Sequence, residues 1–134
     1  MKRAVLYADG AARGNPGPAG AGAALIDGEG RVVGEAMRFL THATNNVAEY
    51  TALIIGLEEA QRHDVQDLDI RMDSKLVVEQ MNGKWKIKHP NLRPLAQQAS
   101  ALLASFPTWQ IRHVPREQNV IADALANRAI DEVK

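Results

Sequence analysis

Four acidic residues, Asp9, Glu49, Asp73 and Asp123, stand where an ionised carboxylate is expensive. Asp9 follows the continuous apolar run Ala4 to Ala8, and no Lys or Arg comes after it until Arg13. A charge placed beside a buried strand is costly unless a cation compensates it. Asp73 closes the alternating run Leu68-Asp69-Ile70-Arg71-Met72. Glu49 reads as a first-turn helical residue beside Val47 and Leu53, and Asp123 lies inside Ala122-Asp123-Ala124-Leu125-Ala126. Singly, each acid has an ordinary reading, since strand-end Asp residues form turns and acids early in a helix answer its dipole. Together they repel one another unless hard divalent cations hold them. Oxygen donors alone, in a chain without cysteine, favour magnesium or manganese over zinc.

The elements that must position these acids can be read in order. Ala4 to Ala8 suits a strand buried on both faces, and the glycines and prolines from Gly10 to Pro18 form a turn after it. Gly20 to Ile26 is a second strand whose small residues imply close approach of other backbone near Asp9. Asp27-Gly28-Glu29-Gly30 is a hairpin turn, and Arg31 to Leu40 returns as a third strand. Residues 45 to 62 switch to helical period, with Val47, Tyr50, Ile54 and Leu57 on one stripe broadened by Leu53 and Ala60. Thr44 and the Asn45-Asn46 pair supply its capping chemistry. Leu68 to Asp73 is a half-buried strand, and Ser74 caps a short helix to about Met81, ended by Asn82-Gly83. Lys84 to Pro90 is a basic loop, Asn91 to Ser105 a helix, Trp109 to Val114 the last strand, Pro115 to Asn119 a loop and Val120 to Val133 a terminal helix. A three-strand meander followed by alternating helix and strand implies a mixed sheet covered by helices.

At 134 residues, 46% hydrophobic and 24% charged, the chain is expected to form one globular domain over residues 1–134. The absence of cysteine excludes a disulfide framework. No apolar run approaches a membrane span and Lys2-Arg3 leads straight into a short strand, so a cytoplasmic protein without membrane association is expected; a monomer is the expected state. Net charge is zero, yet no Asp or Glu occurs from Gln80 through Arg116, where Lys84, Lys86, Lys88, Arg93, Arg112 and Arg116 cluster. The histidines His42, His63 and His89 show no ligand spacing and read as surface or loop residues.

Asp9-Gly10 with Arg13-Gly14-Asn15-Pro16-Gly17-Pro18, then Thr44-Asn45-Asn46-Val47-Ala48-Glu49, Asp73-Ser74, and Asn119 with Ala122-Asp123 together resemble ribonuclease HI. The match covers nearly the whole chain in the family's order. The resemblance implies an α/β, ribonuclease H-like fold: a five-stranded mixed sheet, three strands in an antiparallel meander plus two parallel strands, with helices on both faces. It also implies that Asp9, Glu49, Asp73 and Asp123 bind two Mg2+ ions, with Mn2+ as a substitute. The implied reaction is endonucleolytic hydrolysis of the RNA strand of an RNA/DNA hybrid, leaving 5′-phosphate and 3′-hydroxyl ends. In a two-metal site one ion activates the attacking water and the other stabilises the leaving oxygen. By motif position the resemblance makes Gly10, Asn15, Asn45, Asn46 and Ser74 the candidates for substrate contact, where 2′-hydroxyls in a wide minor groove identify RNA.

Two features depart from the familiar bacterial pattern. Only Gly83 to Pro90 occupies the interval of its long basic protrusion, so the chain is similar to the archaeal-type branch, some of whose members also attack double-stranded RNA. Lys84, Lys86 and Lys88 either meet duplex phosphates, with Trp85 stacking beside them, or form a solvated face with Trp85 as a loop anchor. The basic residue that assists product release is either His113, ten residues before Asp123, or Arg116 in the loop before the last helix, and Arg116 is favoured. A catalytically silent hybrid-binding module of the same fold is the alternative function, although such drift would be expected to cost at least one acid. A junction resolvase or integrase core would not be expected to carry these Gly- and Asn-rich motifs, and a structural interaction domain leaves the acids unexplained.

Overall fold

A computed structural model describes residues 1–133. Its strands are β1 (Arg3–Ala12), β2 (Gly17–Ile26), β3 (Val32–Ala43), β4 (Asp67–Met72) and β5 (Thr108–His113). Its α-helices are α1 (Asn45–Arg62), α2 (Lys75–Met81), α3 (Arg93–Leu103) and α4 (Val120–Asp131). The sheet order is β3-β2-β1-β4-β5, antiparallel through the β1–β2–β3 meander and parallel from β1 to β4 to β5. This is the five-stranded mixed sheet that the element order and the resemblance implied. None of the helices formed by the described residues is long and apolar enough to cross a membrane.

Strand alternation sorts the side chains between two layers. Leu6 and Ala8 of β1, Ala21 and Ala23 of β2, Ile70 and Met72 of β4 and Ile111 of β5 join α1, α2 and α3 in one apolar core. The opposite face of β2 receives α4, which the glycines of that strand permit. A Cβ on Gly22 would lie 2.5 Å from both the Ala122 carbonyl oxygen and the Ala126 nitrogen. The crowding expected from the small residues of β2 is thus the backbone of α4.

The structure revises several boundaries. β1 does not stop before Asp9: it runs on to Ala12, with Asp9 opposite Gly22 in β2. Its parallel ladder with β4 does end at Ala8 opposite Met72, so Asp9 and Asp73 are the first residues past the last rung on adjacent strands. Neighbouring strands lie about 4.8 Å apart, which forces these two acids together. Glu49 is the fifth residue of α1 rather than a first-turn residue. Thr44 alone caps that helix, accepting from the Val47 N–H at 3.2 Å, while the Asn45 side chain turns to the Ala12 N–H at 3.0 Å. α1 buries Ala48, Thr51, Ala52, Ile55 and Gly56 besides the expected stripe, because it packs between the sheet and α3. α3 is shorter than Asn91 to Ser105, its start fixed by Pro94 in the first turn. The Pro115 to Asn119 loop contains a turn of 3-10 helix, Arg116–Gln118.

The close seating of α4 has a direct consequence. Gly22→Ala is expected to cost about 2 kcal/mol or more by overpacking, measured by urea denaturation; an unchanged midpoint would show that α4 is free to move away from β2.

Candidate active site

Four separate elements deliver the four acids to one end of the sheet. Asp9 is brought by β1 and is almost fully buried, 5% exposed. Glu49 comes from α1, and the approach requires the glycine at position 10, where a Cβ would strike the backbone of Ala48 and Glu49. The Gly10 N–H donates to Glu49 Oε1, fixing that carboxylate against β1. Asp73 follows β4, and Asp123 comes from α4 to the same cleft. Ligand oxygens of Asp9, Glu49 and Asp73 all lie within 4.8 Å of one another. The four acids, Asn45, Arg116 and the β1 backbone from Gly10 to Ala12 line a cleft of about 270 Å³.

The electrostatics follow from this crowding. Burial first, then the charges of Glu49 and Asp73, drive the Asp9 carboxyl far above the usual carboxylate range. Burial also raises Glu49, against the opposing effect of the Gly10 N–H. Among the described residues no ion pair includes any of the four acids. Exclusively oxygen donors, mutually close and not ion-paired, fit hard divalent cations such as magnesium or manganese. A larger hollow of about 570 Å³ lies elsewhere on the sheet, but Arg3, Asp67, Asp69 and Arg71 in its lining are already engaged in ion pairs.

The other sequence-predicted residues fall in three groups. Asn15 and Asn45 knit the loop after β1 to the start of α1. Asn15 Oδ1 accepts from the Asn45 N–H at 3.0 Å, and their side-chain amide nitrogens have no partner among the described residues. Asn46 joins Asn15, Thr44, His89 and Asn91 around a second hollow of about 160 Å³ at the N-terminus of α1. Ser74 caps α2, accepting from the Val77 N–H at 3.3 Å, and Gly10 spends its N–H on Glu49. Lys84, Trp85, Lys86 and Lys88 are exposed, and Lys75, two residues past Asp73, places its Nζ 5.9 Å from the Trp85 ring centroid. Arg116 lines the carboxylate cleft, whereas His113 is the exposed last residue of β5 and does not.

Sequence reasoning assigned no site role to Asn119. It occupies the N-cap position of α4 but makes no capping bond. Its side chain is 1% exposed and turns inward, Nδ2 donating at 2.9 Å to both the Ala8 carbonyl and Asp73 Oδ1. An Asn before a helix reads as a cap, so nothing local announced this role. Asn127 similarly donates to the Asp123 carbonyl at 3.0 Å.

Residues 7–129 match the family model described as Reverse transcriptase-like. The chain is 48% identical over 130 residues to ribonuclease HI of Halobacterium salinarum, covering 97% of this chain and 65% of that protein. It is 35% identical over 148 residues to ribonuclease H of Alcanivorax borkumensis, covering 100% of this chain and 95% of the relative. The solved structure of LC11-RNase H1 in complex with RNA/DNA hybrid superimposes with a TM-score of 0.92 at 40% identity, covering 97% of this chain and 98% of that one. The chain thus spans about two thirds of the length of the Halobacterium relative.

The raised acids set a pH dependence. Folded Asp9 and Glu49 retain protons that the unfolded chain releases near pH 4, so the folded state binds more protons and stability falls as pH rises above that range. Asp27, held low by the Arg31 backbone N–H, and Glu59, held low by Arg62, act only in the acid range. In the presence of a chelator, thermal denaturation is expected at lower temperature at pH 8 than at pH 5. Asp9→Asn should add about 1 kcal/mol or more at pH 8 and flatten the slope; a variant no more stable than its parent would contradict the mutual repulsion.

Proposed function

This chain belongs to the ribonuclease H family, and on that footing we propose that it is a metal-dependent endoribonuclease cutting the RNA strand of RNA/DNA hybrids. The products would carry 5′-phosphate and 3′-hydroxyl ends. The observation that carries the reading is the convergence of ligand oxygens of Asp9, Glu49 and Asp73 to within 4.8 Å, with Asp123 lining the same cleft and no basic side chain among the described residues ion-paired to them. The activity is extended to this chain from its ribonuclease H relatives, one of which was crystallised with RNA/DNA hybrid.

Asp9, Glu49, Asp73 and Asp123 would hold two Mg2+ ions, or Mn2+ in their place. Divalent ions at such a site supply charge neutralisation, an acidified water and stabilisation of the leaving oxygen. The chain's own residues do the positioning. Gly10 fixes Glu49, Asn119 fixes Asp73, and both carboxylates are therefore oriented before substrate arrives. In the hydrolysis, water oxygen bonds to phosphorus, the bond from phosphorus to the 3′ oxygen breaks, and that oxygen takes a proton. Arg116, a cation inside the cleft, suits the release of the new 5′-phosphate.

Recognition follows from the polar rim. The amide donors of Asn15 and Asn45 suit 2′-hydroxyls and base edges in the minor groove, with Ser74 and the Gly10 backbone beside them. The hollow formed by Asn46, Thr44, His89 and Asn91 at the N-terminus of α1 suits a phosphate of the other strand. Lys84, Lys86 and Lys88, with Trp85 among them, suit further backbone contacts. Because A-form double-stranded RNA also offers 2′-hydroxyls, it is a second candidate substrate. The catalytic domain is read as residues 1–134, acting as a cytoplasmic monomer.

A cleavage assay on matched RNA/DNA, RNA/RNA and DNA/DNA duplexes, with Mg2+ titrated from zero, tests the reading. Hybrid cleavage that requires metal and vanishes in Asp73→Asn is expected; binding without cleavage would favour the silent module. Arg116→Ala should slow turnover by about tenfold, the weight of a lost charged hydrogen bond, and more than His113→Ala; the reverse order would move the role to His113. Replacing Lys84, Lys86 and Lys88 together with Ala should reduce the salt slope of hybrid binding by about 2 to 3, and an unchanged slope would return them to a solvated face.

A further inference from the structure

Tyr50 follows Glu49 in α1 and is fully buried. Its hydroxyl donates to Gln80 Oε1 at 2.6 Å, and Gln80, only 8% exposed, donates from Nε2 to the Lys86 carbonyl at 3.2 Å. The two bonds fix the orientation of the Gln80 amide, since a flip would set its nitrogen against the tyrosine donor and its oxygen against a carbonyl. Burial raises the Tyr50 phenol to about 12, so it stays a donor at every working pH. A buried polar pair adds little net stability over an apolar pair of the same shape. What this one does is dictate where a surface backbone lies.

That backbone is the middle of the basic loop. Its other tethers are also directional: the N–H groups of Lys84 and Trp85 both donate to the Glu79 carbonyl, and Arg93 donates to the Ile87 carbonyl at 3.1 Å. Trp85 of the loop lies under Lys75, two residues past Asp73, and beyond the loop's far end His89 and Asn91 line the same hollow as Asn46 at the start of α1. We propose that Tyr50 and Gln80 are positioning residues that hold the Lys84 to Lys88 loop preformed for a nucleic-acid duplex, tying it to the helix that carries Glu49. The inference rests on the reading of this loop as a duplex contact. Preorganisation lowers the ordering cost of binding without touching the reacting groups.

The test uses Tyr50→Phe and Gln80→Met, each read in two ways. The first is iodide quenching of Trp85 fluorescence in a Trp109→Phe background, since the chain has 2 tryptophans. The second is steady-state cleavage of an RNA/DNA hybrid with KM and kcat separated. Both variants are expected to keep the parental circular dichroism spectrum, raise the quenching constant of the already exposed Trp85 as it leaves its seat under Lys75, and raise KM by about fivefold, with kcat within about twofold. Their effect on KM should largely disappear when Lys84, Lys86 and Lys88 are already Ala. If that triple variant keeps the parental KM, the loop is no duplex contact and the inference falls with that reading. If the triple variant binds weakly but both Tyr50→Phe and Gln80→Met leave quenching and KM unchanged, the relay alone is overturned. A uniform fall in kcat with KM unchanged would likewise overturn it, marking a general loss of fold.

Discussion

Like charges forced together by covalent and hydrogen-bonded geometry are the constraint on which this structure turns. The parallel ladder of β1 with β4 ends at Ala8 and Met72, and the next residue on each strand is an acid. The sheet fixes the spacing of the two backbones, so relief is left to side-chain rotation, to proton uptake or to a bound cation. The fold adds Glu49 and Asp123 from helices on opposite faces of the sheet and, among the described residues, pairs no base with them. Such a site lowers the stability of the metal-free chain, and a bound multivalent cation would relieve the repulsion.

The rest of the molecule serves that crowding. Glycine at position 10 admits α1, and glycines at 20 and 22 admit α4, in each case because a side chain would strike helix backbone. Asn119 gives up a capping bond to α4 and donates instead to Ala8 and Asp73. Local helix stability is exchanged for the orientation of one carboxylate. Tyr50 and Gln80 extend the same logic outward, from the helix bearing Glu49 to the exposed loop at Lys86.

Much of this was legible in the residues themselves. The period-2 run at Leu68 to Met72, the apolar run before Asp9 and the helical stripe from Val47 to Leu57 placed the elements, and acids beside apolar residues marked those that share the cleft. Small residues in β2 announced a close neighbour without identifying α4. Three things were not legible. That β1 continues beyond Asp9 depends on its pairing with β2, a long-range contact with no local signal. The inward turn of Asn119 opposes the capping preference of its position. The tethering of the basic loop runs through Gln80, whose partner Tyr50 lies 30 residues away and reads as simple core.

The most direct measurement is anomalous diffraction at the manganese edge from crystals of the unmodified protein soaked in Mn2+. The account predicts two anomalous peaks in the cleft, each coordinated by oxygens drawn from Asp9, Glu49, Asp73 and Asp123. Protein that cleaves hybrid while its crystals show no ion at these carboxylates, or ions bound only elsewhere, would contradict it.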